Sequence, residues 1–227
     1  MMIKIAILIS GRGSNMGSLV NAVERKNLDC QVACVIANKK SAGLALAKEN
    51  NIPTKLINQF DYESKFDHEL ALILELERHN PDWILLAGYM AILSSNFVEK
   101  FAGKIINIHP SLLPKFKGLN THSKALKAGN KTHGTTVHVV TNELDDGPII
   151  AQSEIRILAN DTVETLEHRI LQEEHILYPL ILESLVKKYL EINIDKVTWR
   201  SVPPFLHSEI KNRTISIKPY LLIKNHN

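Results

Sequence analysis

Short apolar runs that alternate with amphipathic stretches constrain this chain most. Ile3–Ile9 and residues 31–37, 83–87 and 104–108 are apolar and bounded by turn residues, as strands buried on both faces are. Between them, residues 15–26, 42–50, a stretch within 61–79 and residues 94–101 carry helical spacing. Such alternation implies crossover connections and a largely parallel sheet with helices on both faces. Residues 135–140 and 149–157 follow with only a turn region between them, and read as an antiparallel pair added to that sheet. Residues 161–190 form the strongest helix signal. Asn160 or Asp161 caps its start, Val163, Leu166, Ile170, Leu177, Ile181 and Leu185 recur at helical spacing, and Pro179 offers a break beside Tyr178. The expected fold is α/β and Rossmann-like.

Charge is unevenly spread. From Arg200 onward, Arg200, Lys211, Arg213, Lys218 and Lys224 face only Glu209, so that +4 of charge sits in the last residues and the remainder carries −1. A near-neutral body lacks the basic footprint of a general nucleic-acid binder. Cys30 and Cys34 flank an apolar stretch without a second ligand pair, and read as buried core thiols in a reducing cytoplasm. No apolar run approaches membrane-spanning length. The expectation is a cytoplasmic protein with one domain over 1–201. A tail of unassigned role covers 202–227, punctuated by Pro203-Pro204 and holding an alternating piece at Thr214–Ile217.

Ser10-Gly11-Arg12-Gly13-Ser14-Asn15 follows the first strand and opens the first helix. Backbone N–H groups at a helix start, reached past small residues, favour an anion. A dinucleotide is disfavoured: glycine is needed where Met16 stands, Gly17 is out of step, and the second strand ends at Asn38 without an acid for a ribose. A monophosphate fits better, with a plain glycine-rich turn as the alternative. A second constellation is Asn107-Ile108-His109-Pro110 at the end of an apolar run. On a strand, residues i and i+2 share a face, and the prolines force the chain out of the sheet just beyond. Asp145-Asp146-Gly147-Pro148 supplies a carboxylate. Singly, Asn107 and His109 could cap a strand end and Asp145 could serve a turn. Together they form an acyl-transfer set: an amide for an oxyanion, an imidazole for the proton, and a carboxylate to hold that imidazole charged. His68, His79 and His168 read as solvated residues on helix surfaces. His122, His133 and His138 are candidates to line the same cleft, and no histidine pair has metal-site spacing.

The stretch 10–15, Leu86-Ala87-Gly88-Tyr89-Met90, residues 106–114 and Leu144-Asp145-Asp146-Gly147-Pro148 resemble the folate-dependent formyltransferases, in order and in register from about Ile3 to Leu190. The loop 11–15 and Gln172-Glu173-Glu174-His175 narrow the likeness to the purine-biosynthetic branch. That resemblance implies the formyltransferase fold. It also implies transfer of a formyl group from the co-substrate 10-formyltetrahydrofolate to the amine of 5'-phosphoribosylglycinamide, without ATP or metal. Asn107, His109 and Asp145 would be catalytic. Gly11, Arg12, Gly13, Ser14 and Asn15 would hold the substrate phosphate, with Glu174 near the ribose and glycinamide. Met90, Ala91, Ile92, Leu93, Thr141, Asn142, Glu143, Leu144 and Asp145, with Asn107, would wrap the pterin. Where relatives carry arginine for the folate glutamate tail, this chain has Glu63, with Lys65 nearby. Leu171 stands where some relatives place a glutamine near the substrate. The implied partners are small-molecule substrates, with no nucleic acid or membrane, and a homodimer as the candidate assembly. The alternative is a formyltetrahydrofolate deformylase with water as nucleophile. Methionyl-tRNA formyltransferase would need a further basic domain, and a non-catalytic binding protein would not need the whole catalytic set.

Overall fold

A computed structural model describes residues 2–206 and 214–217. It divides into two compact units, Met1–Asn107 and Ile108–Asn227. In the first, β1 (Ile3–Ile9) pairs in parallel with β2 (Cys30–Ala37) and with β4 (Trp83–Leu86). β2 continues to a short β3 (Thr54–Leu56), and β4 to β5 (Ile105–His109), also in parallel. Five successive residues of β1, Ile5 to Ile9, are wholly buried, which is what an unbroken apolar run on a two-sided sheet requires. The crossovers carry α1 (Ser14–Arg25), α2 (Ala42–Glu49), α3 (Lys65–His79) and α4 (Ser95–Lys100). β3 escapes sequence reading because Lys55 and Leu56 are exposed and its three residues give no periodicity.

The second unit opens at the end of β5 and contains α5 (Thr121–Lys127), then β6 (Thr132–Val139) and β7 (Ile149–Arg156) as an antiparallel pair. α6 (Val163–Val186) follows, then a separate hairpin of β8 (Leu190–Asn193) and β9 (Lys196–Trp199). β10 (Thr214–Ile217) falls on the alternating piece of the tail and pairs antiparallel with β7. Glu209, Lys211, Arg213, Lys218 and Lys224 lie outside the described residues. The architecture is α/β: a mostly parallel mixed sheet with helices, plus an antiparallel pair. Among the described residues no helix is long and apolar enough to cross a membrane.

Three local expectations need correction. The cap of α6 is Thr162, in a reciprocal box with Thr165. Asp161 is already occupied by the Arg169 guanidinium (2.6 Å) and the Leu158 N–H (2.8 Å). Pro179 lies inside an unbroken α6, whose residues from Leu177 to Leu185 are all buried, so packing offsets the missing backbone bond. The helix stops at Val186, and the chain beyond is a hairpin. His68 is not solvated: it is buried on the first turn of α3, its Nε2–H donates to the Ile57 carbonyl (3.1 Å), and Tyr62 packs against it edge-on. Cys30 and Cys34 are buried thiols as expected, each pushed up to about 12 by burial.

Candidate active site

In the first unit, Ser10 ties three segments together. Its hydroxyl donates to Asn38 Oδ1 (2.7 Å) and accepts from the Met90 N–H (2.8 Å), while its own N–H donates to the Gly88 carbonyl (3.0 Å). Beyond it, Gly13 has φ +77° at the start of α1, and a Cβ there would lie 2.8 Å from the Gly43 Cα. Gly43 in turn donates its N–H to the Gly11 carbonyl (3.2 Å). The loop therefore packs backbone against backbone on the start of α2, a closeness only glycine permits. Around Gly11 the space is open. No side chain caps α1 at Gly13, so its opening N–H groups keep their anion-binding character.

Beside this loop the first unit holds a cleft of about 560 Å³, lined by Met90, Ala91, Ile92 and Leu93 and by Phe60, Tyr62, Glu63 and Lys65 among others. Met90 and Ile92 are each 65% exposed and Phe60 79%, an unusual display of large apolar groups around one opening. Glu69 braces this wall from α3. It is buried, and its carboxylate accepts both the N–H (2.8 Å) and the hydroxyl of Ser94. Tyr89, on the same wall, is raised well above the ordinary phenol value, by burial first and Glu69 second.

β5 delivers Asn107 and His109, half-buried and buried, at alternate positions. In the second unit, the chain leaving His109 is bolted to β6 and β7. Thr135 Oγ1 donates to the His109 carbonyl (3.0 Å), and Thr136 Oγ1 donates to the Ser111 carbonyl (2.6 Å). Thr136 Oγ1 accepts from the Leu113 N–H (3.1 Å) and from Gln152 Nε2 (2.9 Å), which also donates to the Leu113 carbonyl (2.9 Å). Ser111 is fully buried and donates to the Lys115 carbonyl (2.6 Å), which makes it structural. The imidazole of His109 meets an acceptor at each nitrogen: the Phe116 carbonyl lies 3.0 Å from Nε2, and Asp145 Oδ2 lies 3.4 Å from Nδ1. A ring that carries both protons satisfies both. Nε2 is the anchored nitrogen; Nδ1, more loosely paired, is the one able to serve a reacting oxygen.

Asp145 sits at φ +50°, and its Oδ2 accepts from the Gly118 N–H (2.8 Å). Two residues on, a Cβ at Gly147 would lie 1.9 Å from the Val139 carbonyl, so the Asp-Asp-Gly-Pro turn crosses the end of β6 where no side chain fits. Lys117 holds Asp146 (2.6 Å) and joins the two loops around the carboxylate. His138 brings a second imidazole to Asp145, with Nε2 at 3.6 Å from Oδ1. His122 and His133 contact each other instead, Nδ1 to Nε2 at 3.2 Å. Burial pushes His133 and His138 down to about 4. Among the described residues no group of His, Cys, Asp or Glu is arranged to hold a metal ion.

A match to the formyl transferase family spans residues 3–182. The chain belongs to that family. It is 43% identical over 203 residues to the phosphoribosylglycinamide formyltransferase of Haemophilus influenzae, across 88% of this chain and 96% of that protein. The phosphoribosylglycinamide formyltransferase of Escherichia coli is 38% identical over 204 residues, with 88% and 96% covered. Among solved structures, the phosphoribosylglycinamide formyltransferase of Coxiella burnetii matches with a TM-score of 0.83 at 40% identity, over 88% of this chain and 94% of that one. Family membership makes the chain an enzyme that takes small-molecule substrates, with a folate-derived formyl donor.

The remaining expected site residues fall as follows. Glu174 is buried on α6. Its neighbour Glu173 accepts from the Ser153 hydroxyl (2.7 Å). Thr141 is half-buried and Asn142, Glu143 and Leu144 are exposed on the loop before Asp145, and Arg12 is exposed on the glycine loop. Glu63 and Lys65 share the cleft with Met90–Leu93 segment residues. Sequence reasoning missed Ser10 as a tie, Glu69 as a brace, and the backbone groups of Phe116 and Gly118. It placed His138 only by neighbourhood. Ser10 opens the glycine-loop motif but its ties to Asn38 and Met90 are not readable from it, and the others carry no motif; each is defined by a partner distant in the chain or by a main-chain atom.

Proposed function

We propose that the chain transfers the formyl group of 10-formyltetrahydrofolate to the amine of 5'-phosphoribosylglycinamide, giving formylglycinamide ribonucleotide and tetrahydrofolate in purine biosynthesis. The observation that carries the chemistry is the His109 ring set between the Phe116 carbonyl and Asp145, with Asn107 two residues before it on β5. The glycinamide nitrogen attacks the formyl carbon, and the carbonyl electron pair moves to oxygen. The Asn107 amide and the His109 Nδ1–H hold that oxyanion, and loss of one such donor typically costs ~3–4 kcal/mol of transition-state stabilisation. Asp145 takes the proton the amine releases and delivers it to N10 as the C–N10 bond breaks. No protein nucleophile is used, and no step calls on a metal.

Gly11, Arg12, Gly13, Ser14 and Asn15 hold the phosphate, supported by the uncapped start of α1 and the open space at Gly11. Glu174 serves the ribose and glycinamide. Met90, Ala91, Ile92 and Leu93, with Asn107 and the loop of Thr141, Asn142, Glu143, Leu144 and Asp145, hold the folate; the exposed apolar wall of the cleft supports this reading. Residues 1–201 form the catalytic domain. The assay follows release of tetrahydrofolate from 10-formyltetrahydrofolate with and without 5'-phosphoribosylglycinamide. Release only with the acceptor is expected; equal release in both conditions would make the chain a deformylase.

A further inference from the structure

We propose that His138 is a positioning residue of this reaction: its imidazole accepts the hydrogen bond of Asp145 while that carboxyl carries the amine's proton. The inference rests on the formyl-transfer reading above. His138 is 2% exposed, and its Nδ1 lies 2.9 Å from the Val139 carbonyl. A carbonyl only accepts, so Nδ1 carries the hydrogen and Nε2 is the acceptor of the neutral ring. Nε2 faces Asp145 Oδ1 at 3.6 Å. The pairing of β6 with β7 shifts register between Val137 and His138, an irregularity of the kind that re-aims a side chain. Burial, the largest influence on this histidine, keeps the ring neutral.

The two protonation states of Asp145 then differ in what they satisfy. Ionised, it sets Oδ1 against the Nε2 lone pair while Oδ2 keeps the Gly118 N–H and faces His109. Protonated on Oδ1, it donates to His138 Nε2, and Oδ2 keeps the Gly118 N–H while the His109 Nδ1–H turns to the oxyanion. The proton thus has a place to wait between the two halves of the transfer. In the first half the N–C bond forms, the carbonyl pair moves to oxygen, and the amine proton passes to Oδ1. In the second half the oxygen pair returns, the C–N10 bond breaks, and its electron pair takes the proton from Oδ1. Asp145 ends as it began.

The test compares His138→Met with His138→Gln in the full chain. The two side chains are similar in length and shape, but only glutamine retains an oxygen that can accept the Asp145 hydrogen. His138→Met is expected to lower kcat about tenfold or more, part of the ~10²–10⁴ that a placed proton-transfer group supplies. KM for both substrates should stay within about twofold, and the solvent deuterium isotope effect on kcat should rise. His138→Gln should recover most of the loss. Thermal melts identify folded variants, and either folded variant is compared with the parent. A kcat within about twofold of the parent for His138→Met overturns the role. So does an equal loss in both variants with an unchanged isotope effect, which marks packing alone. A parent chain that releases tetrahydrofolate without the acceptor overturns the transfer reading instead, and the two failures are distinct.

Discussion

Asp145 shows how one residue can be fixed by demands from several directions. Its backbone lies at φ +50°, which asparagine and aspartate tolerate better than most residues, and its side chain meets Gly118, His109 and His138 at once. Asp145→Asn keeps both the shape and this backbone preference, so the fold should survive. The change removes the negative charge that faces the His109 ring and, in the proposed mechanism, the site that takes the amine's proton. Turnover should fall by about 10²-fold or more, the range of a lost proton-transfer group, while KM for each substrate changes little. Steady-state kinetics with each substrate varied in turn checks this, and an unchanged kcat removes Asp145 from the mechanism. Asparagine is a mild substitution by size; by charge and proton capacity it is not.

Elements placed by local chemistry were legible in the sequence, and those placed by distant partners were not. β5 and its exit were readable because an apolar run, an Asn-x-His pair and two prolines lie within ten residues, and the glycine loop because it separates a strand from a helix. The β8–β9 hairpin was hidden because its apolar residues continue the pattern of α6 without a strong break. β10 was visible as alternation, but its pairing with β7 was not. The site's long-range ties were hidden for the same reason: Ser10 and Met90 are 80 residues apart, and Glu69 and Ser94 are 25 apart. Ser10 gives this a measurable consequence, because it joins the end of β1 to Asn38 after β2 and to the loop after β4. Ser10→Ala leaves the Met90 N–H and Asn38 Oδ1 without that hydroxyl. The cost should be ~1–3 kcal/mol, read as a lower urea midpoint with an unchanged m-value. Because Met90 belongs to the proposed folate wall, KM for the folate should rise more than KM for the phosphate-bearing substrate. Equal changes in both would separate the tie from the folate site.

At the scale of the whole molecule, β6 carries two histidines whose burial links folding to pH. His133 and His138 are 1% and 2% exposed, and burial pushes both down to about 4 from an ordinary 6.5. His122 and His109 push His133 further down, the Pro110 carbonyl opposes them, and Asp145 and the Val139 carbonyl oppose the shift of His138. Between about pH 6.5 and 4 the unfolded chain therefore binds protons that the native chain refuses. Unfolding becomes easier wherever the unfolded state holds more protons, so stability is lost as pH falls through this window and is level above it. Two such groups set a limiting slope of about 2.7 kcal/mol per pH unit, since each pKa unit is worth about 1.36 kcal/mol. His122 and His175, whose rings burial also pushes down, add to the fall in the same direction, so the interval from pH 7 to 5 reads the buried histidines together. Urea melts across it should show a falling midpoint, and His133→Phe, which cannot take up a proton when unfolded, should show a shallower fall than the parent. A parent midpoint that stays constant from pH 7 to 5 would mean that these rings are not held neutral in the native protein. The same melts separate loss of folded enzyme from loss of chemistry: activity per folded molecule at pH 5 reports on the chemistry alone, and total activity also carries the loss of folded protein.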